Sequence, residues 1–293
     1  MMWAFPEIPT TDKHVLIAGP TACGKSALAL KIAERDGGII VNADALQVFA
    51  NWRVLTARPD DADVARISHQ LYGHIPGDVP YSVGQWLREL RQLLQSGQRL
   101  IITGGTGLYF SALTEGLADI PATPENIRHR ADNILASQGH GALLEDLDAD
   151  TLTRIDQQNP VRVQRAWEVQ KSTGHGLAHW QDTTPPPTLP LEKAQTILLN
   201  ADKDWLNHRI AQRFDAMLDN GALDEARQNL STWSPGHPSS KAIGASQLIA
   251  HLKGEILLDE ARDSATIATR QFAKRQRSWF RSRMAGWNVL QIP

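Results

Sequence analysis

The stretch Gly19-Pro20-Thr21-Ala22-Cys23-Gly24-Lys25-Ser26 constrains this chain more than any other. It matches Gly-x-x-x-x-Gly-Lys-Ser/Thr, a loop whose backbone N–H groups cradle phosphate oxygens. Such a loop works only between a buried strand and the start of a helix. Both flanks fit. His14-Val15-Leu16-Ile17-Ala18 is apolar and β-branched, as a buried strand is. Ala27 to Glu34 consists of good helix formers and stops at Gly37-Gly38. Lys25 adds a positive charge, and the Ser26 hydroxyl can ligate a magnesium ion held by the phosphates. An ordinary strand-to-helix turn is the bland alternative, and this context disfavours it. A phosphate cradle alone does not name a reaction.

The remaining strands follow the same logic. Ile39 to Ala43 reads as a second strand, closed by Asp44. In an open parallel sheet, ligands bind beyond the C-terminal strand ends. Asp44 therefore shares a rim with the phosphate loop, where a general base would face substrate; a helix N-cap is the competing role. A short strand is expected within Ser68 to Ile75, with His69 and His74 as ordinary polar residues. Ser82 and Gln85 form a capping box for a helix from Val83 to Gln95, with Trp86, Leu87, Leu90, Leu93 and Leu94 as its buried stripe. Leu100-Ile101-Ile102-Thr103 is a further strand running into Gly104-Gly105-Thr106-Gly107. Phosphoryl-transferring P-loop enzymes often place an acid at such a strand end to hold magnesium through water. Here that place holds threonine and glycines. The glycines would let another molecule approach the backbone, and Thr106 offers a hydroxyl on the same rim.

Composition changes near Ile120. Pro121-Ala122-Thr123-Pro124 marks a boundary, and helical patterns cover Glu125 to Ala136, Gly141 to Leu147, Ala149 to Asp156 and Pro160 to Lys171. The proline-rich Thr183 to Pro190 reads as a stiff linker. The expected architecture is α/β: a parallel-sheet core of the P-loop NTPase type, residues 1–119 and 189–293, flanked by helices and interrupted by an all-helical insertion at 120–188. Strand pattern resumes at Gln195 to Leu199. A helix from Leu206 to Leu218 sets Arg209 and Arg213 on one face. The last helix, from Arg270 to Arg283, carries six cations and no acid. Arg270, Lys274, Arg277 and Arg281 form one ridge, with Phe272 and Trp279 marking an apolar side. A solvated face usually mixes signs, so this ridge favours an anionic partner.

Composition excludes several classes. The 30 basic against 32 acidic residues argue against nonspecific coating of nucleic acid. The single Cys23 excludes an intrachain disulfide and a Cys-x-x-Cys zinc site. Met1 to Glu7 lacks the pattern of a leader peptide, and no apolar run is long enough for a membrane span. A cytoplasmic, monomeric protein is the expectation.

Several ordered blocks resemble the bacterial tRNA dimethylallyltransferases. They are Gly19 to Ser26; Asn42-Ala43-Asp44-Ala45-Leu46-Gln47-Val48-Phe49; Gly104 to Tyr109; Arg162 to Val169 ending in Thr173-Gly174; Ala242-Ile243-Gly244; and Thr269 to Gln276 with Trp279-Phe280-Arg281. The resemblance spans nearly the whole chain. It implies transfer of a dimethylallyl group from dimethylallyl diphosphate to the exocyclic amine of the adenosine 3′ of the anticodon, with Mg2+ required. It also implies roles. Gly19 through Ser26, with Pro20, Thr21, Ala22, Cys23, Gly24 and Lys25 between them, would hold the diphosphate, and Ser26 the metal. Arg213 would clamp the same group. Asp44 would be the general base, and Thr106 would orient the donor. Asp44, Ala45, Leu46, Gln47 and Thr106 would surround the flipped adenosine. Arg128, Val161, Arg162, Val163, Gln164, Arg165, Lys241, Gly244, Arg270, Lys274, Arg277 and Arg281 would contact the anticodon stem-loop. Cys23, Ala45, Phe49, Ala50 and Ala245 depart from the residues common in that family. A small-molecule kinase using ATP, a nonenzymatic RNA-binding module with a nucleotide switch, and a prenyltransferase of free adenine nucleotides are the rival readings.

Overall fold

The computed structural model describes Ile8 and residues 10–292. Met1 to Glu7, read above for a leader, lie outside the described residues. Two compact units form: residues 1–114 with 188–293, and residues 115–187. The sequence had suggested edges at 120 and 188.

The larger unit is built on a six-stranded sheet in the order β3-β2-β4-β1-β5-β6. The strands are β1 (His14–Ala18), β2 (Ile39–Asn42), β3 (His69–Gln70), β4 (Leu100–Gly104), β5 (Ala194–Ala201) and β6 (Val289–Ile292), all paired in parallel. β1 is central, and Val15, Leu16 and Ile17 have no exposed surface. Burial on both faces explains its unbroken apolar run.

Helices cover both faces. α1 (Lys25–Asp36) leaves the phosphate loop and is followed by α2 (Asp61–Arg66), α3 (Val83–Gln95) and α4 (Gly107–Thr114). The expected capping box is present: Gln85 N donates to Ser82 Oγ, and Ser82 N to Gln85 Oε1. Such a cap is worth about 1 kcal/mol. Of the expected stripe of α3, Trp86, Leu87 and Leu90 are buried, while Leu93 and Leu94 lie half-exposed. Trp86 stacks on Tyr109 of α4 with centroids 4.5 Å apart, and its Nε1 donates to Asn42 O at 2.7 Å. One indole thus ties two helices to the end of β2.

The helical unit holds α5 (Glu125–Gln138), α6 (Gly141–Leu144), α7 (Ala149–Arg154), α8 (Pro160–Thr173) and α9 (Leu177–Asp182). Its core is Ala131, Leu143, Leu147, Val163, Ala166 and Trp167. α8 starts on Asn159, whose side chain accepts from Val161 N and Arg162 N, and ends at Gly174 with φ 76°. That left-handed stop suits glycine.

The chain then returns to the sheet and adds α10 (Lys203–Asp219), α11 (Ala222–Asn229), α12 (Ala245–Leu252) and α13 (Leu258–Arg283). These helices share a second core around Trp52, Phe214, Leu248 and Ala265. α13 runs 26 residues, well beyond its cationic half. Its buried side is Ala261, Ala265, Thr266, Ala273, Gln276 and Phe280. Phe272 and Trp279, expected to mark that side, are only half-buried.

Candidate active site

Three loops leave the C-terminal ends of β1, β4 and β2 along one rim. In register, Ala18 pairs with Gly104, and Asn42 with Thr103. The loop after β1 turns sharply: Ala22 has φ 64° and Gly24 φ 94°. Gly24 is the N-cap of α1, and no side chain among the described residues caps that helix. Its first-turn N–H groups remain open to an anion, and the helix dipole favours negative charge there. Lys25 Nζ donates to Pro20 O at 2.7 Å, within the loop. Cys23 is buried and packs against Gly19. Burial raises the pKa of its thiol, against the opposing pull of Lys25.

Asp44 is held by its neighbours. Its N–H donates to Asn42 Oδ1 at 2.8 Å, and its Oδ1 accepts from Leu46 N at 2.9 Å. Asp44 shapes a local turn and lines the cavity, and no helix follows it, so the helix N-cap read from sequence is not formed. Burial raises the pKa of the Tyr72 and Tyr109 phenols, and the negative charge of Asp44 raises both further. Both stay protonated beside the carboxylate.

A cavity of about 370 Å³ opens between these loops and α10. Thr21, Gly24, Lys25, Ser26, Asp44, Arg209 and Arg213 give it a polar wall. Leu46, Leu55, Ile210, Phe214, Met217, Ile243 and Phe272 give it an apolar one. Arg213 Nη1 donates to Thr21 Oγ1 at 3.1 Å, and Arg209 Nε to Ala22 O at 3.2 Å. Desolvation lowers the Arg213 pKa, while the charge of Asp44 works the other way. Gln47 also lines the cavity, with its Nε2 donating to Thr56 O and Ala57 O at 2.7 and 3.2 Å. Its free group is therefore the acceptor Oε1.

The Thr106 hydroxyl accepts from Ala45 N at 2.9 Å, which leaves its O–H free to donate. It steadies the Asp44 loop. Gly104 ends β4 and lines the cavity, while the space beside Gly104, Gly105 and Gly107 is closed to a side chain of their own. A Cβ on Gly104 would stand 2.0 Å from Ala43 O, one on Gly105 2.3 Å from Gln276 Nε2, and one on Gly107 2.2 Å from the Trp279 ring. Gln276 was the residue sequence reasoning missed. Its Oε1 accepts from Thr21 N at 2.8 Å and its Nε2 donates to Gly105 O at 2.9 Å, so α13 pins two of the three loops together. No local sequence signal marks it, because both partners are distant in the chain.

The residues expected to meet nucleic acid divide. Arg270, Lys274, Arg281 and Lys241 are exposed, whereas Arg277 is half-buried, with its Nε enclosed and unpaired among the described residues. Gly244 is buried, and a Cβ there would press on Leu55 and Phe214, so its role is close packing. Within the helical unit, Arg128, Val161 and Arg162 are exposed. Val163 has no exposed surface and belongs to the core, so its side chain is not available to RNA. Gln164 Nε2 donates to Asp132 at 2.7 Å and Glu168 at 3.1 Å. Arg165 donates to Thr123 at 2.7 Å.

Comparison with known proteins decides the family. The pattern of IPP transferases matches residues 47–283, and that of isopentenyl transferases residues 13–72. The chain belongs to the IPP transferase family. A tRNA dimethylallyltransferase of Dinoroseobacter shibae is 59% identical over 96% of both chains. One from Cereibacter sphaeroides is 56% identical over 98% of this chain and 99% of that protein. Among solved structures, the tRNA isopentenylpyrophosphate transferase of Bacillus halodurans aligns with TM-score 0.66 and 30% identity, over 96% of this chain and 91% of that one. A eukaryotic dimethylallyltransferase acting on tRNA aligns with TM-score 0.79 at 23% identity, over 96% of this chain and 74% of that one, a likeness of fold.

Proposed function

We propose that the protein moves a dimethylallyl group from dimethylallyl diphosphate to the exocyclic amine of the adenosine 3′ of the anticodon in tRNA, releasing diphosphate. The observation that carries this reading is the mixed cavity. An anion cradle and two arginines adjoin Asp44 and a set of apolar side chains suited to a prenyl chain and a purine. Its volume falls in the range of small-molecule sites.

The open N–H groups of α1, Lys25 and Arg213 stabilise the charge that grows on the diphosphate as the allylic C–O bond breaks. Charge-assisted hydrogen bonds of this kind are worth about 1.5–3 kcal/mol each. The adenosine leaves its stack to enter the cavity. Gln47 Oε1 offers an acceptor to its amine. Asp44 takes the amine proton as nitrogen attacks, for a factor of about 100 to 10,000. The apolar wall excludes water, which would otherwise compete for the allylic carbon.

The donor set also fits magnesium. The Ser26 hydroxyl at the start of α1 would ligate the ion, and Thr103, whose buried Oγ1 has no partner among the described residues, lies on the same cavity. The ion would help neutralise the diphosphate. Arg128, Arg162, Lys241, Arg270, Lys274 and Arg281, all exposed, are the candidates for phosphate contacts.

The test combines the protein with labelled dimethylallyl diphosphate, magnesium and unmodified tRNA, and weighs the anticodon-loop fragment. A gain of one five-carbon unit on the adenosine is expected; an unaltered mass contradicts the proposal.

A further inference from the structure

Thr103 is the next-to-last residue of β4, after the aliphatic Leu100, Ile101 and Ile102. It is 3% exposed, and its Oγ1 has no hydrogen-bond partner among the described residues. An enclosed hydroxyl without a partner costs stability, and valine would occupy the same space without that cost. The side chain's direction follows from strand alternation. Thr103 shares a face with Ile101, which packs in the same core as Leu28, Ala29 and Ile32 of α1. Thr103 therefore faces the α1 side, and it lines the cavity together with Ser26 at the start of that helix.

We propose that the Thr103 hydroxyl holds a water molecule of the hydrated magnesium ion that Ser26 ligates. The proposal rests on the reading that the cradle binds a magnesium diphosphate. Magnesium gives up its waters reluctantly and is usually bound with several retained. A hydroxyl can accept from one of those waters, where an acid does so in many phosphoryl-transfer sites. Threonine supplies an acceptor there without adding a negative charge beside a leaving group that is itself becoming more negative. The orphaned oxygen is thus satisfied by the ligand's own hydration shell.

The test compares wild type, Thr103→Val and Thr103→Ser by calorimetric titration with inorganic pyrophosphate, in excess magnesium and in EDTA. Thermal melting without magnesium completes it. Thr103→Val should melt at or above the wild-type temperature, because an unpaired hydroxyl has been removed. Its pyrophosphate affinity in magnesium should fall about tenfold, as when a partner of a metal's ligands is removed. Its affinity in EDTA should be unchanged, and Thr103→Ser should retain most of the magnesium-dependent gain. A melting temperature lowered by several degrees overturns the proposal, since the hydroxyl would then belong to a structural hydrogen bond. Equal losses with and without magnesium also overturn it, by placing the hydroxyl on the anion itself, and so does no loss at all. A wild-type protein that ignores pyrophosphate under both conditions defeats the diphosphate reading and this proposal together.

Discussion

Asp44 owes its place to short-range bonds more than to packing. The Asn42 amide bridges to Asp44 O and Leu71 O, while Asn42 Oδ1 holds the Asp44 N–H. Asp44→Asn keeps an acceptor for Leu46 N and removes only the base. Turnover should fall by about 100- to 10,000-fold, while melting temperature and pyrophosphate affinity stay near wild type. Near-normal turnover would remove Asp44 from the proton transfer. His14 makes a different prediction. Its Nδ1 accepts from Leu100 N at 3.0 Å, and burial, with Arg99 second, lowers its pKa below 6.5. The unfolded chain therefore binds a proton that the native chain resists. Stability is intact above pH 6.5 and declines as pH falls towards the folded pKa. His14→Gln retains an acceptor without titrating. Its melting temperature should lose less than wild type between pH 7 and 5, by about 2 °C; parallel acid limbs would contradict this.

At the scale of elements, α13 has two jobs. Through Gln276 it fixes the phosphate loop against the Gly105 loop, and through Arg270, Lys274 and Arg281 it presents charge to solvent. Gln276→Leu keeps the bulk but severs both bonds. Because small misplacements of reacting groups are costly, turnover should drop about 100-fold with a folded, RNA-binding protein; unchanged turnover would make the clamp irrelevant. Arg270→Ala with Lys274→Ala should weaken RNA binding and reduce the slope of log affinity against log salt by about 2. An unaltered slope would take the ridge out of the interface. The same helix shows what a sequence discloses. Its cationic spacing was legible, because charge at helical period needs no tertiary knowledge. Gln276 was not, because its partners lie 255 and 171 residues away. β1, the loop after it and the Ser82 cap were legible, since each is a local pattern with a local cause. β6 was not: only Ile292 of its four residues is buried, so it carries no periodic signal and depends on pairing with β5. The apolar cavity wall, from Leu46 to Phe272, is scattered over segments that only the fold collects. Gly105 and Gly107 misled for a related reason: their missing side chains admit Gln276 and Trp279 rather than a ligand.

For the whole molecule, the connection of the two units matters most. The chain leaves the sheet-bearing unit after Thr114 and re-enters it at Thr188. Just inside, Leu189 N donates to Leu113 O at 3.0 Å. The two crossings are held side by side by the larger unit itself, and the helical unit keeps a separate core around Trp167. Replacing residues 116–186 with a short Gly-Ser linker should leave a folded protein that binds pyrophosphate within a few-fold of wild type but loses most of its affinity for tRNA. Loss of the fold or of pyrophosphate binding would contradict that independence. The backbone bond at this neck carries a practical meaning. A module joined at so narrow a neck is one that insertion or exchange can alter without disturbing the sheet that carries it.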